Sequence, residues 1–146
     1  MKRFSMLLLV ALVGALLVMG CGKSGQFPQA PVINETVHFD LGKYNLRPEA
    51  TRTLDYKIAY LKHFPGHIIF VVGNADYRSN DEFNLILAAH RAAEVQRYLV
   101  NNGINPKRIF LMSEGKRNPV SPGTSDSATF ENRRAEFFII ATGSLQ

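Results

Sequence analysis

The chain alternates between two hydrophobic periods, which predict strands separated by helices. Short apolar runs rich in β-branched and aromatic residues predict strands at 37–39, 68–72, 109–112 and 136–142. The run at 68–72 is continuously apolar, which is typical of a strand buried on both faces. The stretch 119–129 is rich in Pro, Ser, Gly and Thr and predicts a loop. This order predicts an α/β (α+β) two-layer sandwich with helices packed on a mixed β-sheet, a βαβαβ core plus a last strand.

Two stretches carry apolar residues at helical spacing. The first helix is predicted to begin near Pro48, a residue suited to the first helical turn, and to stop at Pro65-Gly66. The second is predicted to run to about residue 101, with Gly103 as its left-handed stop. Its beginning is marked by three residues of N-cap type, Ser79, Asn80 and Asp81, and Ser79-x-x-Glu82 has the form of a capping box.

The second helix places a permanent charge in its apolar stripe. At 100° per residue, one side of this helix is defined by Ala88, Ala92, Val95 and Leu99. Asn84 and Arg91 fall inside the same stripe. Arginine stays charged at any accessible pH, and burying it without a partner is costly. Arg91 is therefore predicted to reach a carboxylate, or a cleft in which a ligand supplies one.

Asp76 is the best candidate for that carboxylate, because it lies in the loop that leads from the strand 68–72 into the helix. In such a unit the strand end, the loop and the first helical turns lie close together, and helix N-terminal amides favour anions. Two interpretations stay open at this point. The pair is a structural salt bridge, or it binds a zwitterionic ligand, with Arg91 on a carboxylate and Asp76 on an ammonium group.

Residues 1–20 have the features of a lipoprotein signal peptide. Lys2-Arg3 precedes an apolar run of 14 residues at 6–19, within the ~7–15 residues of a signal core and short of the ~20 of a membrane-spanning helix. The run ends in Val18-Met19-Gly20-Cys21, which resembles a bacterial lipoprotein cleavage box. Cys21 is the only cysteine, so we predict that it is lipidated, because several acyl chains on one residue give stable anchoring. An ordinary secretory signal is the alternative.

The signal divides the chain into three segments and changes its charge. Residues 21–35 are predicted to be the lipidated cysteine and a flexible tether, and residues 36–142 the folded domain. Loss of Lys2 and Arg3 lowers the formal net charge from +5 to +3, and the remaining basic residues are scattered. A nucleic-acid partner is therefore not predicted, since it would need a clustered basic stripe.

Catalytic and metal-binding motifs are absent from the sequence. A single cysteine leaves no C-x-x-C metal or redox site. The four histidines form no H-E-x-x-H motif, and the serines lack a G-x-S-x-G context. We therefore predict a protein that is not an enzyme and needs no cofactor or metal.

Several motifs at fixed spacing identify a family. The helix pattern N-x-x-L-S-x-x-R-A-x-x-V-x-x-x-L is matched, except at its serine, by Asn84, Leu87, Ala88, Arg91, Ala92, Val95 and Leu99. The pattern G-H/N-T-D is matched, except at its threonine, by Gly73-Asn74-Ala75-Asp76, with Arg78 following. The opening Val37-x-Phe39 and Asn132-Arg133-Arg134-Ala135 also correspond. Over about residues 36–141 the chain resembles the OmpA-like peptidoglycan-binding domain family, most closely its peptidoglycan-associated lipoprotein (Pal) branch.

The resemblance implies non-covalent binding of peptidoglycan through its diaminopimelate-containing stem peptide. It implies that Asp76 holds the ligand's ammonium group and Arg91 its carboxylate. The other ligand-binding positions that it implies are Phe39, Asp40, Asn74, Arg78, Asn84 and Ala88. Asn132 and Arg133 are expected either to support the site or to touch the ligand. Ala75, where the family has threonine, and Gly42, where many members have aspartate, put the affinity in question.

The resemblance also implies a place in the cell. It implies a lipid anchor at Cys21 in the cell outer membrane, a domain that faces the periplasm, and a tether between that membrane and the cell wall. A TolB-type β-propeller, as in the Tol-Pal system, or another envelope protein is the implied protein partner. Two alternatives stay open: a wall-anchoring lipoprotein subunit of a secretion or motility machine, and a periplasmic wall-processing enzyme.

Overall fold

The computed structural model describes residues 36–142, which form four strands and three α-helices. In chain order these are β1 (Val37–His38), α1 (Ala50–His63), β2 (His67–Asn74), α2 (Asp81–Asn101), a 3₁₀ turn (Pro106–Arg108), β3 (Ile109–Gly115), α3 (Asp126–Asn132) and β4 (Arg134–Ala141). The predicted signal peptide, Cys21 and the tether lie outside the described residues. Within 36–142, no helix combines the length and the apolar character needed to cross a bilayer.

The four strands form one mixed sheet in the order β1-β4-β2-β3. β2 and β3 run parallel, with Ile69 opposite Ile109. β4 runs antiparallel to β2, with Val71 opposite Phe137, and β1 is antiparallel to β4 at the edge. The prediction of a mixed sheet with a βαβαβ core plus a last strand is confirmed.

The core lies between one face of the sheet and the helices α1 and α2. Alternate residues of the strands point to this face, because successive side chains of a strand lie on opposite sides. The fully buried residues of this layer include Val37, Ile69, Val71 and Phe137 from the sheet and Leu54, Leu61, Val95 and Leu99 from the helices. The predicted two-layer sandwich is therefore confirmed.

The prediction that the strand at 68–72 is buried on both faces is wrong. Ile68 and Phe70 are only half-buried, and Phe138 and Ile140 beside them are exposed. Within the described residues no helix covers this side of the sheet. A continuous apolar run does not by itself distinguish a strand covered on both sides from one covered on a single side.

Three local predictions need correction. Part of the predicted loop 119–129 belongs to α3, whose first turn is capped by Ser125 accepting from the Ala128 amide. The N-cap of α2 is Asn80, whose side chain accepts from the Phe83 amide at 2.8 Å, and not Ser79. α1 begins at Ala50 rather than at Pro48, a shift typical of helix ends.

The C-terminal end of β2 lies in close contact with α2. A Cβ added at Gly73 would stand 1.9 Å from the Ala88 carbonyl oxygen, so only glycine fits. The pairing of β2 with β3 shifts register between Gly73 and Asn74, and the Ala75 amide donates to the Gly115 carbonyl at 2.7 Å. Such an irregularity bends a strand and redirects its side chains. The loop that follows therefore passes directly beside the first turns of α2.

Candidate functional site

Arg91 is fully buried and is held by main-chain carbonyl groups. Its Nε donates to the Lys43 carbonyl at 3.0 Å, its Nη1 to the Asn74 carbonyl at 2.7 Å and its Nη2 to the Asp40 carbonyl at 3.3 Å. The guanidinium carbon also lies 5.2 Å from the centre of the Phe39 ring, in the range of a cation–π contact. One side chain thus joins α2, the end of β2 and the turn after β1.

The predicted direct salt bridge between Asp76 and Arg91 is wrong. Among residues 36–142, the ion pair of Asp76 is with Arg133, whose Nη1 lies 3.3 Å from Asp76 Oδ2. Arg133 also donates from Nε to the Phe39 carbonyl at 3.0 Å. Arg91 donates to main-chain carbonyls, although a carboxylate was expected. Asp76 is instead neutralised by Arg133, which is distant from it in sequence.

The buried charges of this site do not cancel. Asp76, Arg91 and Arg133 carry one negative and two positive charges at neutral pH. Burial lowers the pKa of Arg91 to about 10, Asp76 opposes this effect, and Arg133 adds to it. The guanidinium therefore stays charged at neutral pH. The site carries an excess positive charge next to a carboxylate, which suits a ligand with both an anionic and a cationic group.

Arg78 lies in the loop between β2 and α2, and Asn84 lies in the first turn of α2. Asp76 Oδ1 accepts from the Arg78 amide at 3.1 Å, and the buried Asn84 donates to the Arg78 carbonyl at 2.7 Å. The Arg78 guanidinium is partly exposed and lies 3.6 Å from Asp126. Ser79 adopts a positive φ of 75°, which a non-glycine residue rarely holds without support. Asn84 thus positions the loop, whereas the partly exposed Arg78 guanidinium contacts Asp126 and Thr129 of α3.

The remaining predicted residues divide between the base and the rim of the site. Phe39 and Ala88 are fully buried, the first under Arg91 and the second against Gly73. Asn74 is buried, and its side-chain oxygen has no hydrogen-bond partner in the part of the chain that the structure describes. The carboxylate of Asp40 is exposed and lies 3.7 Å from both Lys43 and Arg47.

The contact between Arg133 and Asp76 was not predicted from the sequence. It lies between α3 and β4, 57 residues after Asp76, so no local pattern connects the two. The Asn-Arg-Arg-Ala motif was the available signal, and it left open whether Arg133 supports the site or touches the ligand. Asn132 supports the neighbouring loop, because its side-chain oxygen accepts from the Val120 amide at 2.8 Å.

The fold agrees with the comparisons with known proteins. The chain belongs to the OmpA family, whose model matches residues 38–133. It is 39% identical over 101 residues to a peptidoglycan-associated lipoprotein of Pseudomonas putida, covering 69% of this chain and 60% of that protein. It is 32% identical over 148 residues to a peptidoglycan-associated lipoprotein of Pasteurella multocida, covering 92% of this chain and 97% of that protein.

A solved structure shows the same architecture. The crystal structure of the peptidoglycan-associated lipoprotein from Burkholderia pseudomallei matches with a TM-score of 0.73 at 31% identity, covering 79% of this chain and 98% of that one. Against the Pseudomonas putida relative, this chain spans only 60% of that protein's length.

Proposed function

We propose that this chain is a non-enzymatic outer-membrane lipoprotein that binds peptidoglycan non-covalently and tethers the outer membrane to the cell wall. The ligand is the diaminopimelate-containing stem peptide. Asp76 binds its ammonium group, and the region of Arg91 and Arg133 binds its carboxylate. The names of the relatives from Pseudomonas putida and Burkholderia pseudomallei support the peptidoglycan-binding part of this proposal.

The observation that carries the proposal is the uncompensated guanidinium charge beside Asp76. Arg91 has five N–H groups, and three of them donate to the carbonyls of Asp40, Lys43 and Asn74. Two are left without an acceptor among the described residues. A purely structural ion pair would need one arginine for Asp76, and Arg133 already supplies it. The second guanidinium is explained by an anionic ligand.

The ligand reaches Arg91 past the turn that follows β1. Arg91 is fully buried, whereas the residues of this turn, 40–45, are exposed. The turn contains Gly42 at a φ of 65°, and a Cβ there would meet no atom within 4 Å. We propose that the turn moves aside by a small amount when the stem peptide binds, a change of the size that many binding loops undergo.

Sedimentation with purified sacculi tests the site. We expect the parent domain to sediment with sacculi, and Asp76→Asn and Arg91→Lys to remain in the supernatant. Asp76→Asn removes the charge that faces the ammonium group, and Arg91→Lys replaces a five-donor fork by a single point charge. Asp55→Asn is the matched control, because Asp55 is exposed on α1, where it accepts from the Tyr98 hydroxyl at 2.8 Å.

Both site variants must first be shown to fold by circular dichroism and thermal unfolding. If folded Asp76→Asn and Arg91→Lys bind sacculi as well as Asp55→Asn does, the site assignment fails. Competition by a free diaminopimelate-containing tripeptide is expected, and competition by its lysine-containing counterpart is not, since that peptide lacks the side-chain carboxylate.

Three further measurements test the rest of the proposal. Mass spectrometry of the mature N-terminus is expected to give a lipidated Cys21, and an unmodified start at Gly22 would contradict the anchor. Incubation with sacculi is expected to release no new muropeptides, and release would favour a wall-processing enzyme. Co-purification with a TolB-type β-propeller would favour the tether over the alternative, a subunit of a secretion or motility machine.

A further inference from the structure

The sheet face that no helix of residues 36–142 covers, here called the outer face, contains two adjoining hollows. The first, of about 430 Å³, is lined largely by apolar residues. The second, of about 310 Å³, lies beside β1 and α3 and is here called the polar hollow, because charged side chains are part of its mixed lining. Both hollows are lined by Glu136 and Phe138 of β4, so they adjoin each other, and together they are here called the groove.

The apolar hollow is a contiguous surface of large side chains. It is lined by Phe70, Val72, Met112, Phe138 and Ile140. Met112, Phe138 and Ile140 are each more than two-fifths exposed. The Phe70 ring stacks on Phe110 with their centroids 5.1 Å apart, which extends the surface onto β3. Contiguous apolar patches of this kind on soluble domains mark interaction sites, whereas isolated exposed apolar residues do not.

The polar hollow contains a buried cation with an unused donor. Arg134 is 2% exposed, and it donates from Nε to Glu136 at 2.7 Å and from Nη2 to the Asn118 carbonyl at 3.1 Å. Its Nη1 is buried and has no acceptor within residues 36–142. A buried donor without a partner is costly. An oxygen atom of a bound molecule in this hollow would satisfy it.

The charge of the groove selects its partner. Three carboxylates line it, those of Glu114, Glu131 and Glu136, against the single guanidinium of Arg134. His38, which also lines it, lies 3.6 Å from Glu131. The chain as a whole carries +5, so this groove is an acidic strip on a basic protein. Two copies would bring like charges together, whereas a cationic partner would be attracted.

We propose that the outer face is a docking site for a segment of a partner protein that presents large apolar side chains beside lysine or arginine. The apolar side chains occupy the hollow between Phe70 and Ile140, and the cations face Glu114 and Glu131. A main-chain carbonyl of the segment accepts from Arg134 Nη1. This inference does not depend on the proposed wall-binding function.

The groove and the site around Asp76 are separated by the alternation of the strands. Arg133 points to Asp76, and the next residue, Arg134, points into the groove. His38 lines the groove, while Phe39 lies under Arg91. Occupation of one site therefore leaves the other free, and the domain can hold a partner and a wall ligand at the same time.

Nuclear magnetic resonance titration with two capped hexapeptides tests the proposal. One peptide alternates Lys with Phe and Ile, and the other has Glu in place of each Lys. We expect the Lys peptide to shift the signals of Phe70, Met112, Phe138 and Ile140, and to bind at least about tenfold more tightly than the Glu peptide. Equal binding of the two peptides, or shifts confined to other residues, would overturn the proposal.

Substitutions in the groove sharpen this test. Phe138→Ser and Glu131→Gln are each expected to weaken binding of the Lys peptide severalfold. Ile86→Ser is the matched control, since Ile86 is exposed on α2, outside the groove. Phe138→Ser is expected to retain full sacculus binding if the wall-binding proposal is correct. If the parent domain binds no sacculi, the wall-binding proposal fails, and the peptide titration still tests the docking proposal for the outer face.

The same protein samples also test two other occupants of the groove. A dimer in sedimentation velocity that Phe138→Ser dissociates would show that a second copy covers the groove and would overturn the proposal. Shifts of the Met112 and Ile140 signals by soluble muropeptides would show that the groove binds wall fragments, and would overturn it as well.

Discussion

Two neighbouring arginines at the start of β4 lie in different regions with opposite charge balance. Arg133 pairs with Asp76 in a region where a second guanidinium, that of Arg91, leaves an excess of positive charge. Arg134 pairs with Glu136 on the outer face, where further carboxylates leave an excess of negative charge. Arg134 is buried, and the side chain of Arg133 is 11% exposed. The strand period of two therefore divides one short motif between two sites of different chemistry.

The same division appears in the aromatic residues that follow. Phe137 is 1% exposed and belongs to the core, whereas Phe138 is 43% exposed and lines the groove. One face of the sheet stabilises the fold, and the other leaves its apolar surface in contact with solvent. Substitutions made in matched pairs across the two faces separate these contributions.

The largest expected effect comes from truncating the two phenylalanines. Phe137→Ala removes a fully buried side chain and is expected to lower the free energy of unfolding by about 4 kcal/mol. Phe138→Ala removes a half-exposed one and is expected to cost about 1 kcal/mol. Urea unfolding followed by circular dichroism measures both. Equal losses would show that the outer face is covered in solution.

The second prediction concerns the close contact between β2 and α2. Gly73→Ala places a Cβ against the Ala88 carbonyl oxygen, and neither backbone can yield easily, so we expect a loss of about 3 kcal/mol. Gly66→Ala is the control, because the nearest atom to its Cβ is Thr142 Oγ1 at 3.6 Å, an ordinary contact. Thermal unfolding compares them. A stable Gly73→Ala variant would contradict the contact.

The third prediction concerns the ion pair at the site. Asp76→Asn leaves Arg91 and Arg133 without a counter-charge and is expected to cost about 2 kcal/mol. Asp126→Asn makes the same chemical change on an exposed carboxylate 3.6 Å from Arg78, and no measurable loss is expected. Urea unfolding distinguishes them. If Asp76→Asn left the free energy of unfolding unchanged, the ion pair with Arg133 would not contribute to stability.

The fourth prediction concerns the positive φ of Ser79. Ser79→Gly removes the steric cost of this conformation and is expected to raise the free energy of unfolding by about 0.5–1 kcal/mol. The same change at Ser127, exposed in α3, is expected to lower it by a similar amount, because glycine weakens a helix. Thermal unfolding of both variants checks the opposite signs. Destabilisation by Ser79→Gly would mean that other contacts of the serine dominate.

The smallest expected effect is a pH dependence from His38 on the outer face. Burial lowers the pKa of His38 below its ordinary 6.5; Glu131 opposes this, and Arg134 and Arg47 contribute to it. Below pH 6.5 the unfolded chain therefore binds more protons than the folded one, and stability falls as the pH falls. Urea unfolding from about pH 7.5 to about pH 5 measures the slope. His38→Gln is expected to flatten it, and an unchanged slope would assign it to other groups.

Much of the fold could be predicted from the order of the apolar patterns. The two long helices and four strands were predicted from their periods, because each period is a property of consecutive residues. α3 was missed, since its seven residues lie in a stretch whose Ser, Thr and Gly content is typical of loops. The absence of a helix of residues 36–142 on the outer face was also missed, because the apolar run at 68–72 has the same composition whether one or both of its faces are covered.

The sequence predicted which residues belong to the site better than it predicted which residues contact one another. Asp76 and Arg91 were found because one lies next to a strand end and the other interrupts a helical stripe, both of which are local signals. Their partners are Arg133 and the carbonyls of Asp40, Lys43 and Asn74, which come from distant segments. No spacing in the chain encodes these contacts.

The sequence by itself determined that Arg91 would be buried in the stripe of α2 and that it would need a polar partner. Helical geometry fixes that result over a few residues. The tertiary structure decided that main-chain carbonyls provide the partner and that Arg133 neutralises Asp76. It also decided that Arg133 and Arg134 serve opposite faces of the domain. The reason is that electrostatic partners are selected by distance in space, and the packing of β4 beside β1 and β2 sets that distance.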